Sequence, residues 1–106
     1  MFFELREYRM MPGQKQNWVD YMEDVIIPFQ VSKGMVILGS FVSRDEEDLY
    51  IWIRRFENDD HKEALYTAVY ESDTWKNEIG PKITEMMDRS KIVVRNIEAS
   101  PKSVIQ

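Results

Sequence analysis

Phe2-Phe3-Glu4-Leu5-Arg6-Glu7-Tyr8-Arg9-Met10-Met11-Pro12-Gly13 opens the chain. Strand alternation over residues 2–10 sends Phe3 and Leu5 to one side, and Glu4, Arg6 and Tyr8 to the other. Pro12-Gly13 then turns the chain into a helix starting at Gln14. A strand that brings a carboxylate, a guanidinium and a phenol to one face must give them partners, because buried polar groups left unpaired are costly.

Trp18, Tyr21, Met22, Val25, Ile26 and Phe29 recur at three- and four-residue steps, which marks one continuous helical face. Pro28 has no backbone N–H, so the helix is predicted to kink or end there, with Gly34 as its stop. Residues 35–44 are rich in Val, Ile, Leu and Phe and read as a strand, with Gly39 as a candidate bulge. Asp45-Glu46-Glu47-Asp48 makes a charged turn into a third strand over residues 49–56. Asp60 and Glu63 suggest the capping signal of a second helix carrying Leu65, Ala68 and Val69. A break at Ser72-Asp73 and an interruption at Gly80-Pro81 are expected before Ile83, Met86 and Met87. A last strand over 91–98 precedes a tail over 99–106.

The order β-α-β-β-α-β predicts an α+β, ferredoxin-like domain over residues 1–98, a four-stranded antiparallel sheet with helices on one face. At 106 residues the chain is one domain with a thin core of its own. A hydrophobic content of 43% with 31% charged residues is that of a globular protein. The net charge of −5 and scattered basic residues disfavour nucleic acid. Without cysteine, disulfides and thiolate chemistry are excluded. No apolar run reaches the length of a membrane span and no secretory leader is legible, so the expected location is cytoplasmic.

Both faces of the expected sheet are apolar or aromatic. Leu49, Ile51 and Ile53 oppose Tyr50, Trp52 and Phe56 in the third strand, and Val93 and Ile97 oppose Ile92 and Val94 in the fourth. Two helices cover one face only, and the sequence leaves open which. An uncovered face carrying Trp52, Tyr50 and Val94 would exceed what monomers usually expose. Burying several hundred Å2 of it at about 25 cal/mol per Å2 amounts to roughly 10 kcal/mol before association costs. A homodimer packed sheet against sheet is therefore expected.

Glu4-Leu5-Arg6-x-Tyr8 with Pro12-Gly13 resembles the opening of the NIPSNAP family, within the larger group of dimeric α/β barrels. The resemblance continues through the helix ending near Ile27-Pro28, Gly34, the Trp52 strand, and Ser72-Asp73-x-Trp75 followed by Pro81. It implies two ferredoxin-like subunits closing an eight-stranded barrel. Most members of the family have no assigned reaction. The wider group includes cofactor-free monooxygenases, haem enzymes and isomerases, a fold-level analogy only.

Glu4, Arg6, Tyr8, Trp52 and Arg54 are the leading candidate site, since the first and third strands are neighbours in this fold. Two guanidiniums and a phenol beside an indole suit a small anionic or aromatic ligand. Glu4 is the candidate general base, provided burial raises its pKa. The same residues equally read as a charge network that fixes register or an interface. His61, the only histidine, is either a proton-transfer residue at a pocket mouth or a surface residue at a helix end. Trp18, Tyr21 and Met22, with Trp75, either wall a cavity or simply pack; Tyr66 and Tyr70 either gate it or fill it. The acidic turn lacks the pattern of a calcium loop, and no metal or tightly bound cofactor is expected. Two functions fit: a small-molecule site, or a non-catalytic homodimeric interaction module.

Overall fold

A computed structural model describes residues 1–106. Four strands, β1 (Phe2–Arg9), β2 (Val36–Val42), β3 (Leu49–Phe56) and β4 (Val93–Ile97), form one antiparallel sheet in the order β2-β3-β1-β4. With the helices between β1 and β2 and between β3 and β4, this is the ferredoxin-like order expected from the sequence. β2 and β4 are shorter than the apolar runs that announced them. β4 begins only after a 3-10 turn over Arg89–Lys91. In β2 the register slips between Ile37 and Gly39, so one extra residue bends the strand where the glycine suggested a bulge.

The first helix runs over residues 15–32 without ending at Pro28. Its middle, Met22–Ile26, is a π-helical turn, flanked by α-helix over Lys15–Tyr21 and Ile27–Ser32. The Ile27 N–H bonds back five residues to the Met22 carbonyl. That shift restarts the α-helix, and Pro28 falls in its first turn, where a missing N–H costs little. Gly80-Pro81 repeats the device in the third helix. There Trp75–Ile79 is π-helical, the Gly80 N–H bonds the Trp75 carbonyl, and Gly80–Met86 continues as α-helix. The expected interruption is therefore a change of pitch.

The second helix (Asp59–Tyr70) starts two residues earlier than the capping signal suggested. Asn58 is its cap, its side-chain oxygen accepting from the His61 N–H at 2.8 Å. The break at Ser72 is real, and its hydroxyl accepts from the Trp75 N–H to begin the third helix. Gly34 ends the first helix at φ +104, a conformation open to glycine at little cost.

Strand register settles which side of the sheet the helices cover. Glu4 lies opposite Arg54, Arg6 opposite Trp52 and Tyr8 opposite Tyr50. This parity faces the helices, and Trp18, Met22 and Ile26 from the first helix pack with Ile79 and Ile83 from the third onto Tyr8, Tyr50 and Trp52. A smaller cluster of Met35, Phe56, Leu65 and Val69 sits beneath the second helix. Trp52 and Tyr50 are thus buried and do not belong to an uncovered face; Val94 shares their side but lies beyond the helices, 42% exposed. The open face instead carries Leu5, Ile51 and Ile53, with Val36, Phe41, Val93 and Ile97 exposed around them. This face too is apolar. No helix is long and apolar enough to cross a membrane.

Candidate functional site

Glu4 is withdrawn from solvent at the centre of the helix-facing side. Its Oε1 accepts from Arg54 Nε at 3.2 Å, from Arg54 Nη2 and from Arg6 Nη1 at 3.3 Å. Its Oε2 accepts from the Tyr66 hydroxyl and pairs with Lys62 Nζ at 3.0 Å. Every lone-pair site on the carboxylate is occupied. Burial alone would push this carboxyl up, but Arg54, the Tyr66 hydroxyl and Arg6 outweigh it and hold the pKa at about 2.

Arg54 is equally buried and bonds with every nitrogen. Besides Glu4 it donates from Nη1 to Gln30 Oε1 at 2.9 Å and to the Tyr70 hydroxyl at 2.7 Å, and from Nη2 to the Tyr66 hydroxyl at 3.0 Å. Its guanidinium also lies over the rings of Trp52, Phe56, Tyr66 and Tyr70, at 4.8 Å from the Trp52 centroid. Burial works against its charge, yet the surrounding tyrosines and Glu4 keep it firmly protonated.

Arg6 is less enclosed. Nε donates to the Tyr8 hydroxyl at 2.7 Å, and Nη1 reaches Glu4 and Tyr66. Nη2 bonds no protein atom. Arg6 opens onto a cavity of about 260 Å3 between the sheet and the first and third helices. Tyr8, Trp18, Trp52, Tyr66, Tyr70 and Trp75 line it with aromatic rings, Ile83, Met87 and Ile92 with apolar side chains, and Arg89 adds a second cation. Both π-helical turns border it, through Met22 and Ile26 on one side and Trp75 on the other.

Two polar atoms in this wall lack partners. The Trp18 indole N–H is buried without an acceptor. That of Trp52 faces the Tyr8 hydroxyl but misses hydrogen-bond geometry. Burial raises the pKa of Tyr8 and of Tyr66, so both phenols keep their protons at neutral pH.

The structure therefore brings Arg6, Tyr8, Trp18, Trp52 and Trp75 to one cavity. Glu4 and Arg54 stand behind its wall, and His61 lies elsewhere, at the start of the second helix. The His61 Nδ1 accepts from the Glu57 N–H at 3.1 Å, and its ring packs edge-on to Phe56. Tyr66 joins the charge network and also lines the cavity, while Tyr21 hydrogen-bonds the Ile79 carbonyl. Gln30 was missed by sequence reasoning, although it left a readable signal. It continues the buried Met22–Ile26 spacing with a polar residue, fully buried, held by Arg54 and Tyr70. Lys62 and Arg89 gave no such signal.

Among solved structures, a NIPSNAP family protein of unknown function from Agrobacterium tumefaciens superposes with a TM-score of 0.89 at 21% identity, covering 100% of this chain and 94% of that one. The fold is that of the NIPSNAP proteins. A second NIPSNAP family protein from the same organism gives 0.88 at 17% identity, over 99% of this chain and 98% of that one. An antibiotic biosynthesis monooxygenase matches more distantly, with a TM-score of 0.67 at 14% identity over 95% of this chain and all of its own. No protein-family model matches the chain, and no curated protein does.

Proposed function

We propose that this chain is a NIPSNAP-family protein that binds a small molecule in the cavity behind β1 and β3, as a homodimer closed sheet against sheet. The observation that carries the reading is the cavity of about 260 Å3 lined by Arg6 and by the rings of Tyr8, Trp18, Trp52, Tyr66, Tyr70 and Trp75. A cavity of about 150 Å3 already suffices for one benzene ring. An interaction module without a ligand has no use for such a space beside an incompletely paired guanidinium.

Glu4 is assigned a structural part. A carboxylate held ionised by three cations and a phenol is a poor proton acceptor at neutral pH. It holds Arg6 and Tyr66, which line the cavity, and fixes Arg54 behind them. His61 takes no part in the site. The apolar open face, with Phe41 and Ile97 exposed, supports the dimer.

Native mass spectrometry of freshly purified protein, compared with its denatured mass, tests both halves. The expected species is a dimer carrying a removable small molecule. A monomer overturns the assembly. A bare dimer that also takes up none of a library of single-ring compounds overturns the binding reading.

A further inference from the structure

The cavity is basic inside an acidic protein. The chain carries a net charge of −5, yet the charged side chains lining the cavity are Arg6 and Arg89, with no acid among them. Arg6 and, behind the wall, Arg54 and Lys62 share the single carboxylate of Glu4. The positive charge is thus only partly neutralised by the protein, in a site where low dielectric strengthens any charge interaction.

The hydrogen-bonding inventory has the same sign. Arg6 Nη2 has no protein partner. The Tyr8 hydroxyl accepts from Arg6, and the Tyr70 hydroxyl accepts from Arg54 and Gln30, which leaves each phenolic proton free to donate. The acceptors that would balance these donors, Glu4 and Gln30 Oε1, are already taken up by Arg54 and its neighbours. The cavity offers donors and asks for acceptors.

Its floor is apolar. Trp75, Ile83 and Ile92 offer nothing to a second polar end. Inorganic phosphate or sulfate would turn some of its oxygens onto that floor and lose their hydration without replacement. An acceptor-rich head on a compact apolar body meets both halves of the site.

On the small-molecule reading above, we infer that the ligand is an organic monocarboxylate with a single-ring or branched aliphatic body. Its carboxylate lies against Arg6 Nη2 and the free Tyr8 and Tyr70 donors, and its body lies on Trp75, Ile83 and Ile92. Arg6 is the residue that selects for the charge; Arg54, saturated by the protein, holds the phenols in place.

The test uses matched pairs of probes that differ only in the head group: benzoate and benzyl alcohol, phenylacetate and 2-phenylethanol, 3-methylbutanoate and 3-methylbutanol, with benzylamine as the cation. Binding is read by isothermal titration and by the indole N–H resonances of Trp18 and Trp52. The expected result is at least tenfold tighter binding of the acid in one or more pairs, no binding of benzylamine, and a shift of the Trp18 resonance. Arg6→Gln is expected to erase the preference for acid over alcohol, with circular dichroism reporting that the variant is folded. Alcohols that bind as well as their acids, or a preference that survives Arg6→Gln, overturn the carboxylate assignment and leave the small-molecule reading intact. If acids, alcohols and amine all fail to bind, both fall together.

Discussion

Glu4 and Arg54 sit directly opposite each other across β1 and β3, and both side chains have no exposed surface. The pair joins β1 to β3 through two guanidinium bonds, and through Gln30 and Tyr70 it reaches the first and second helices. Such a pair is not thereby a net source of stability, since desolvating two charges offsets most of their attraction. Its consequence lies in what happens when one member is removed.

Glu4→Gln leaves Arg54 buried with its charge unanswered, and Arg54→Met leaves Glu4 dependent on Arg6 and Lys62. Each single change is expected to destabilise the protein by roughly 3–5 kcal/mol. The double variant is expected to lose clearly less than the sum, because the second substitution removes the charge that the first one stranded. Urea unfolding of the four proteins checks this. Strict additivity would mean that the two residues do not act as a pair.

Glu4 also sets an acid limit. Its pKa in the folded chain, about 2, lies below the ordinary value of 4.5. The stabilisation is complete above pH 4.5 and is lost as the pH falls from there toward 2, because the unfolded chain takes up the proton first. The stability gap between the parent and Glu4→Gln should therefore be constant from neutral pH down to about 5 and narrow below it. A gap that stays constant to pH 3 would contradict the depressed pKa.

The neighbouring strands, the polar parity of β1 and the involvement of Arg54 were legible because alternation and ferredoxin-like topology together dictate which side chains meet. Sequence could not say which face the helices take, since Tyr50-Ile51-Trp52-Ile53 is apolar on both sides; register with β1 decides it. Nor could it foresee that Pro28 and Pro81 sit inside helices. Each needs a π-turn five residues long just ahead of it, and no local propensity announces one. For Trp18 and Trp75 the sequence left cavity wall and plain core both open, because the choice depends on how tightly the helices pack, a property of three dimensions. Lys62 reaches Glu4 across 58 residues of chain, beyond any pattern in the strand itself.

At Gly34 the backbone has φ +104, and a Cβ built there would lie 3.2 Å from Leu65 Cδ2. Gly34→Ala combines strain at a conformation that L-residues avoid with crowding against a buried leucine. A loss of about 1–3 kcal/mol is expected, measured by the shift in urea midpoint at unchanged slope. A neutral result would mean that the turn relaxes to negative φ without cost.

Phe41 projects from the open face with 53% of its surface exposed, beside Ile51, its partner in register. If that face is the seam of a homodimer, Phe41→Asp places an unpaired charge in it. The substitution is expected to weaken the dimer at least a hundredfold, read by sedimentation at a series of concentrations, while the circular dichroism of the protomer is unchanged. A variant that stays dimeric places the seam elsewhere.

Ile83 lines the cavity from the third helix and is 6% exposed. Ile83→Phe adds a ring toward space that the folded protein leaves open, so the overpacking penalty should stay near the low end of its usual range, about 1 kcal/mol. The space it takes is that offered to the body of a ligand. Affinity for the best probe should fall at least tenfold with the Trp18 resonance still resolved, which separates filling the cavity from unfolding it. Unchanged affinity in Ile83→Phe would show that the molecule binds somewhere other than on this floor.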